Sequence, residues 1–355
     1  MAQISKPRVL VTLDAMRYPN TGLFHFGRSL GKALLRHVNN EFDLDYFLYP
    51  GTTDFDSDPV HRTYLKKYNK FFFINKNKVN LFHFTDQFSR LKPKKVWSGK
   101  KILTIHDINQ VHENLSAEKL KTYLRKLGER IYKCERIITI SEFAKNDVLA
   151  YFPDIADRIQ VVYNGADRLT VPAGHQPKYK PVGEFMFAIG IVSAKKNFHV
   201  LPPLLVGNNM QLIISGIETP YRDQVIAEAK KLGVSDRLIL TGPVSDADKA
   251  WYYANCKAFV FPSIAEGFGL PVIEAMHFGK PVFVSTKTSL PEVAGDAAYY
   301  FNTFDAEDMQ QTLMNGLHHF EQNNQAAYVS QYAERYNWDD TAKQYLQIYR
   351  ECLNV

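Results

Sequence analysis

Short apolar runs alternate with longer amphipathic stretches along almost the whole chain, and the alternation stops once and then restarts. In the first half the runs that read as strands are residues 9–13, 44–49, 81–84, 102–105, 136–140 and 160–163. Helical spacing fills several gaps, over 22–37, 117–133 and 142–151. In the second half strands are expected at 185–189, 211–215, 238–241, 258–262, 281–284 and 298–301. Helical patterns over 198–206, 222–232, 245–255, 271–278 and 306–318 separate them. Apolar strands interleaved with helices form parallel sheets covered on both faces. The break is 169–183, LTVPAGHQPKYKPVG, with three prolines and two glycines, residues that punctuate rather than continue regular structure.

The expected organisation is α/β, with two doubly wound Rossmann-like domains at 1–170 and 184–335, a linker at 171–183, and an amphipathic helix within 336–355 that packs back on the first domain. Domains of this kind facing each other leave a central cleft, and their ligands bind beyond the carboxyl ends of the strands. A chain of 355 residues is long for one core and comfortable for two.

No apolar run reaches the ~18 residues of a membrane span. The polar start runs into a short apolar stretch that Asp14 breaks at once, which is not a secretory signal, so a cytoplasmic protein is expected. Cys134, Cys256 and Cys352 are widely separated and suggest neither a zinc site nor a disulfide framework. Net charge is a mild +6, but basic runs gather in the first 135 residues: Lys66-Lys67, Lys92-Pro93-Lys94-Lys95, Lys100-Lys101 and the stretch 119–133. Such runs are solvated faces, or they attract anionic lipid headgroups and phosphates. No nucleic-acid motif accompanies them.

The most informative text is 258–281, AFVFPSIAEGFGLPVIEAMHFGKP. A buried strand ends at Ser263, Glu266-Gly267-Phe268-Gly269 forms a turn, and Pro271 opens a helix, where proline is favoured in the first turn. Glycines let backbone approach a ligand closely, and the free N–H groups of a helix start favour an anion. Glu274 lies about one turn into that helix, and carboxylates accept hydrogen bonds from sugar hydroxyls. A glycosidase pair must flank one bond at ~5–10 Å. Glu266 ahead of a helix and Glu274 within it fit two hydroxyl-gripping carboxylates better.

This segment resembles the signature of the retaining family 4 glycosyltransferases of the GT-B fold, also called glycosyl transferases group 1. That signature has two glutamates separated by seven residues, then a helix and a Gly-x-Pro-Val turn, matched by Glu266, Glu274, Gly279, Pro281 and Val282. The likeness continues upstream through DRLILTGPVSDADKAWYYANCKAFVFPS from Asp236, downstream through TSLPEVAGDAAYYF from Thr288, and into the closing YNWDDTAKQYLQIYRE. Ser193-Ala194-Lys195-Lys196-Asn197 resembles the family's Arg-Lys-Asn element, with Lys195 in place of an arginine, and Ile191 stands where many members carry arginine. In the first half Thr21-Gly22-Leu23 takes the place of a glycine-rich loop, with one glycine where two are common. Ile105-His106-Asp107 resembles the family's His-Asp motif.

The resemblance implies that the second domain holds a nucleotide-sugar. Glu274 would bind ribose hydroxyls and Glu266 the transferred sugar. Lys196, Lys195 and backbone around Gly267, Phe268, Gly269 and Leu270 would hold the diphosphate, with Val244 also in contact with the donor and the Gly22 loop facing either the donor or the acceptor. His106, Glu266 and Lys196 are the implied catalytic set, with retention of configuration. The Lys-Lys-Asn element and 241–245 look most like bacterial mannosyltransferases using GDP-mannose, acting on a glycan or lipid-linked acceptor in surface polysaccharide synthesis (O-antigen, lipopolysaccharide or capsule). The basic first half, with Phe71-Phe72-Phe73, suggests an anionic membrane surface as a partner. Asp43/Asp45, Asp56/Asp58 and Asp246/Asp248 form Asp-x-Asp triplets, of which the last fits helix capping; no metal and no cofactor beyond the donor is expected. The alternatives are a donor carrying UDP or dTDP-rhamnose, and a non-catalytic partner subunit of the same fold. A dehydrogenase is excluded, because 267–272 lacks the third glycine of GxGxxG.

Overall fold

The computed structural model describes residues 6–19, 21–112 and 116–355, with Lys70 by its backbone alone. Met1 to Ser5, the front of the polar start, lie outside that set. The chain divides into two units, Met1–Gly165 with Tyr336–Val355, and Ala166–Arg335.

The first unit runs β1 (Arg8–Thr12), α1 (Gly22–His37), β2 (Asp43–Leu48), β3 (His61–Tyr64), β4 (Leu81–Phe84), β5 (Lys100–Ile105), α2 (Ala117–Ile131), β6 (Arg136–Thr139), α3 (Glu142–Tyr151) and β7 (Ile159–Val161). The second runs β8 (Phe185–Ile189), β9 (Gln211–Ser215), α4 (Arg222–Lys231), β10 (Leu238–Gly242), α5 (Asp246–Asn255), β11 (Ala258–Phe261), α6 (Leu270–His277), β12 (Val282–Ser285), α7 (Leu290–Ala294), β13 (Tyr299–Phe301), α8 (Ala306–Gln322) and α9 (Ala326–Ala333). The last helix, α10 (Trp338–Leu353), returns to the first unit.

Both sheets are parallel, ordered β3-β2-β1-β4-β5-β6-β7 and β10-β9-β8-β11-β12-β13. The strand order reverses between β1 and β4 in one and between β8 and β11 in the other, and the crevice at such a reversal is where open α/β sheets bind ligands. The central strands are buried on both faces, as in β4 and β11. Burial on both faces is why they read as unbroken apolar runs. Side chains at the expected starts cap the helices: Thr21 accepts from Phe24 N, Ser141 from Ala144 N and Ser245 from Asp248 N.

In the first unit α10 packs on α1, and Trp338, Tyr345, Leu346 and Tyr349 join one core with Val9, Val11, Leu30 and Leu34. A buried polar chain fixes the helix to the sheet. His83 Nδ1 lies 2.6 Å from Tyr349 Oη, His83 Nε2 lies 2.8 Å from Thr104 Oγ1, and Tyr345 Oη lies 3.0 Å from Thr104 Oγ1. Burial, with the charge of His106 adding to it, drives the His83 pKa down to about 3, so the ring is neutral.

The structure adds local detail at three places. Residues 198–206 form two short 3-10 turns, Phe198–Val200 and Pro202–Leu205, because Pro202 and Pro203 cannot donate backbone hydrogen bonds. The edge strand β3 is polar and partly exposed, so it carries no apolar signal. The Pro/Gly-rich stretch 171–183 is tied to the second unit: Tyr179 N donates to Tyr252 Oη at 3.1 Å, Tyr252 donates back to Tyr179 O at 2.8 Å, and Val182 N donates to Gln211 Oε1 at 2.8 Å.

Candidate functional site

The reversal between β8 and β11 in the second unit gathers most of the residues singled out from the sequence. β8 ends at Ile189 and Gly190 follows with φ +150. The chain then makes a 3-10 turn over Ala194–Lys196 and leaves it through Asn197 in the left-handed region. A Cβ on Gly190 would stand 2.9 Å from Lys196 Cε. The missing side chain is therefore what lets the lysine stem lie across the strand end.

Lys196 Nζ pairs with Glu266 Oε1 and stands 4.6 Å from the centroid of the Phe261 ring. Both charged side chains are mostly buried, at 17% and 13% exposure. The Ser263 hydroxyl lies 2.5 Å from Glu266 Oε1 and 2.9 Å from Lys195 O, and its single proton serves one of them at a time. Ile264 N donates to Lys195 O at 2.8 Å, so the loops after β8 and β11 are joined by backbone as well. Lys195 is exposed. Glu266 N donates to Thr288 Oγ1 at 3.0 Å, and Ser289 Oγ donates to Glu266 O at 3.0 Å.

Gly267, Phe268 and Gly269 are buried and Leu270 half-buried. Gly269 is the residue before α6, with φ +103. A Cβ there would be strained by that backbone and would meet Leu290 Cδ2 at 2.8 Å. Pro271 occupies the first turn of α6, a position where no N–H donor is lost. The helix thus begins four residues after Glu266.

Glu274 is 8% exposed and is held by two partners that sequence reading missed. Lys249 Nζ donates to Glu274 Oε1 and Tyr253 Oη to Glu274 Oε2, each at 2.9 Å. Burial alone would lower the Lys249 pKa. The charge and hydrogen bond of Glu274, with Asp246 and Asp167 farther off, more than offset it, and the net shift is upward. Burial raises the Tyr253 hydroxyl well above its usual value, and Glu274 adds to the shift. The only signal in sequence was a lysine on the inner face of a capped amphipathic helix. Val244 is half-buried in the turn after β10, two strands from β8.

His106 and Gly22 belong to the first unit. His106 follows β5 and donates from Nε2 to Thr85 O at 2.8 Å, with its ring edge-on to Phe26 at 4.5 Å. Gln87, another residue the sequence did not flag, accepts from His106 N at 3.2 Å and donates to Asp107 O at 2.7 Å. Neighbouring Asp86 is buried, which raises its pKa, and the charge of His106 offsets that rise only in part. Gly22 is the first residue of α1, and a Cβ there would meet nothing within 4 Å. Neither packing nor the turn requires glycine at that position.

Among the described residues no three His, Cys, Asp or Glu side chains are grouped to hold a metal ion. Asp45 accepts from Thr63 Oγ1 at 3.0 Å, and Asp248 caps α5 and accepts from His175 Nε2 at 2.8 Å.

Comparison with known proteins adds to this geometry. The Glycosyltransferase Family 4 model matches residues 26–168 and the Glycosyl transferases group 1 model residues 177–336. The serotype-specific mannosyltransferase WbdA of Escherichia coli is 30% identical over 214 residues, covering 55% of this chain and 26% of that protein. The match thus spans about a quarter of that relative's length. O-antigen chain mannosyltransferase B of Escherichia coli is 27% identical over 267 residues, covering 70% of each chain. A solved sucrose-phosphate synthase from Thermosynechococcus elongatus shares the fold, with a TM-score of 0.76 at 17% identity over 98% of this chain and 99% of that one.

Proposed function

The chain belongs to the GT-B glycosyltransferases of the group 1 and family 4 type, and from that membership we propose that it moves a hexose, with retention of configuration and without a metal ion, onto a glycan or lipid-linked acceptor in surface polysaccharide synthesis. The donor proposed is GDP-mannose, in keeping with the mannosyltransferases among its relatives. The acceptor is proposed to be presented at the cytoplasmic face of a membrane; among the described residues no helix is long and apolar enough to cross one.

The observation that carries the reading is the Lys196–Glu266 pair at the β8–β11 reversal, with Glu266 four residues ahead of α6. In this reading the amides of Phe268, Gly269 and Leu270 and the Lys196 ammonium take the diphosphate, with Lys195 and Val244 at its margins. Glu266 takes hydroxyls of the sugar and Glu274 those of the ribose. His106 serves the acceptor side.

As the glycosidic bond breaks, negative charge grows on the leaving diphosphate. Donors already aimed at that position lower the barrier. When Lys196 turns to phosphate, Glu266 is released to accept from sugar hydroxyls, so one pair supplies both groups. The leaving phosphate then takes the acceptor proton on the same face, which accounts for retention.

The test is thermal denaturation with GDP, UDP, dTDP and their sugar conjugates, with and without EDTA. A ligand of the folded state raises apparent stability with its concentration over Kd. GDP and GDP-mannose are expected to shift the melt, unaffected by EDTA. Glu274→Ala and Lys196→Ala should weaken that shift, while Glu266→Ala chiefly lowers turnover. Wild-type behaviour in all three would show the site misplaced, and no response to any nucleotide would favour a non-catalytic subunit.

A further inference from the structure

Away from these residues, two segments of the first unit meet on its surface. Phe73 N donates to Lys95 O at 3.0 Å, and Asn75 Nδ2 donates to Ser98 Oγ at 3.1 Å. Asn75 also closes a tight loop, accepting from Val79 N at 2.7 Å and donating to Val79 O at 3.0 Å. Phe73 turns inward, edge-on to Phe47 and Phe82. That anchor leaves its neighbours outside: Phe71 is 70% exposed, Ile74 51%, Tyr68 41% and Phe72 40%, while Trp97 on the adjoining segment is 87% exposed. Tyr68 and Phe72 stack on each other, with ring centroids 5.6 Å apart.

The charge around these rings is one-sided. Residues 66–101 contain ten lysines and one arginine against a single acidic residue, Asp86. Asp86 is buried and offers nothing to the surface. Lys66, Lys67, Lys76, Lys78, Lys92, Lys94 and Lys100 are exposed. Acids that reach in from neighbouring elements are Glu129 of α2, which pairs with Lys94 at 2.5 Å, Glu135, which accepts from Lys101 N at 2.6 Å, and the buried Asp45, which accepts from Asn77 Nδ2 at 3.3 Å.

We propose that this face, with Phe71, Phe72, Ile74 and Trp97 ringed by lysines, is a docking surface for an anionic lipid bilayer. Aromatic rings favour the headgroup boundary, and each lysine near a negatively charged leaflet adds attraction that salt screens. Neither contribution holds a protein alone, and two signals together do. Single-stranded nucleic acid is the rival occupant of a basic aromatic surface. It fits less well, because exposed Ile74 offers no stacking plane and the rings protrude from loops rather than paving a sheet.

The surface lies outside the proposed donor residues, so its test needs no sugar. The full chain is floated with phosphatidylglycerol-containing vesicles and with pure phosphatidylcholine vesicles, and tryptophan emission is followed. Trp251 is half-buried and Trp338 buried, so Trp97 should dominate a blue shift and should be quenched by brominated lipid. Expected are flotation with the anionic vesicles only, loss at high salt, and binding weakened roughly tenfold in Phe71→Ser/Trp97→Ser and in Lys76→Glu/Lys78→Glu. All four side chains are exposed, so the melts of the variants should match wild type, and nucleotide shifts should persist in them. No flotation, equal binding to neutral vesicles, undiminished binding by the variants, or displacement from vesicles by an oligonucleotide in place of salt would each overturn the proposal. None of these would touch the donor assignment, which stands or falls on the nucleotide screen.

Discussion

Replacing Lys249 by Met tests whether Glu274 is held as a charged group. The two side chains are 10% exposed each and meet at 2.9 Å. Without the ammonium the carboxylate keeps only the Tyr253 hydroxyl at 2.9 Å. Breaking a buried pair by removing one partner costs ~3–5 kcal/mol, because a buried charge is left uncompensated. The residual exposure lets some water reach the carboxylate, which places the expected loss near the lower end, ~3 kcal/mol. Urea unfolding reads it directly as a lower midpoint at unchanged slope. The double variant Lys249→Met/Glu274→Leu removes both charges and should recover to within ~1 kcal/mol of wild type, as apolar replacement of a buried pair often does. Stability and function then separate: the double variant regains its melt but not its nucleotide response. The pH dependence has a definite sign. The Lys249 pKa is raised in the fold, so its contribution is fully present below the unfolded lysine value of ~10.4 and is lost as pH rises through the folded value. The deficit of Lys249→Met should accordingly be flat across neutral pH and narrow only in strong alkali. A single variant as stable as wild type, or a double variant less stable than the single, would refute the argument.

Gly190→Ala should lose ~1–3 kcal/mol, because φ +150 strains any side chain and the new Cβ would press on Lys196 Cε; nucleotide shifts should shrink with it, whereas unchanged binding would detach Lys196 from the donor. Gly22→Ala faces open space at a helix start and should leave the melt unchanged or slightly raised, so any fall in transfer rate would mark Gly22 as a ligand contact. His83, at about 3 in the fold against ~6.5 unfolded, should make wild-type stability fall as pH drops below ~6.5, by up to ~1.4 kcal/mol per pH unit. His83→Gln should lower stability at neutral pH and flatten that dependence, as urea midpoints at pH ~7 and ~5.5 would show; a wild-type slope in the variant would put the titrating group elsewhere.

Much of this protein was written locally in its sequence. Parallel central strands are buried on both faces, so β4, β8 and β9 stand out as apolar runs with sharp ends, and Thr21, Ser141 and Ser245 mark helix starts because their side chains cap free amides. The spacing of Glu266, Gly269, Pro271 and Glu274 fixed a turn and a helix start, since only local backbone geometry was needed. The polar edge strand β3 and the proline-broken turns at 198–206 gave no such signal or a misleading one. Partnerships were beyond the sequence altogether. Lys249 and Glu274 lie on different helices, Lys196 and Glu266 follow different strands, and Trp97 joins the Phe71 face through the hydrogen bonds of Phe73 N to Lys95 O and of Asn75 to Ser98. Periodicity reports which face of an element is buried. Which side chain meets which across the interior is decided by strand order, register and the direction of each crossover, and those exist only once the sheets have formed.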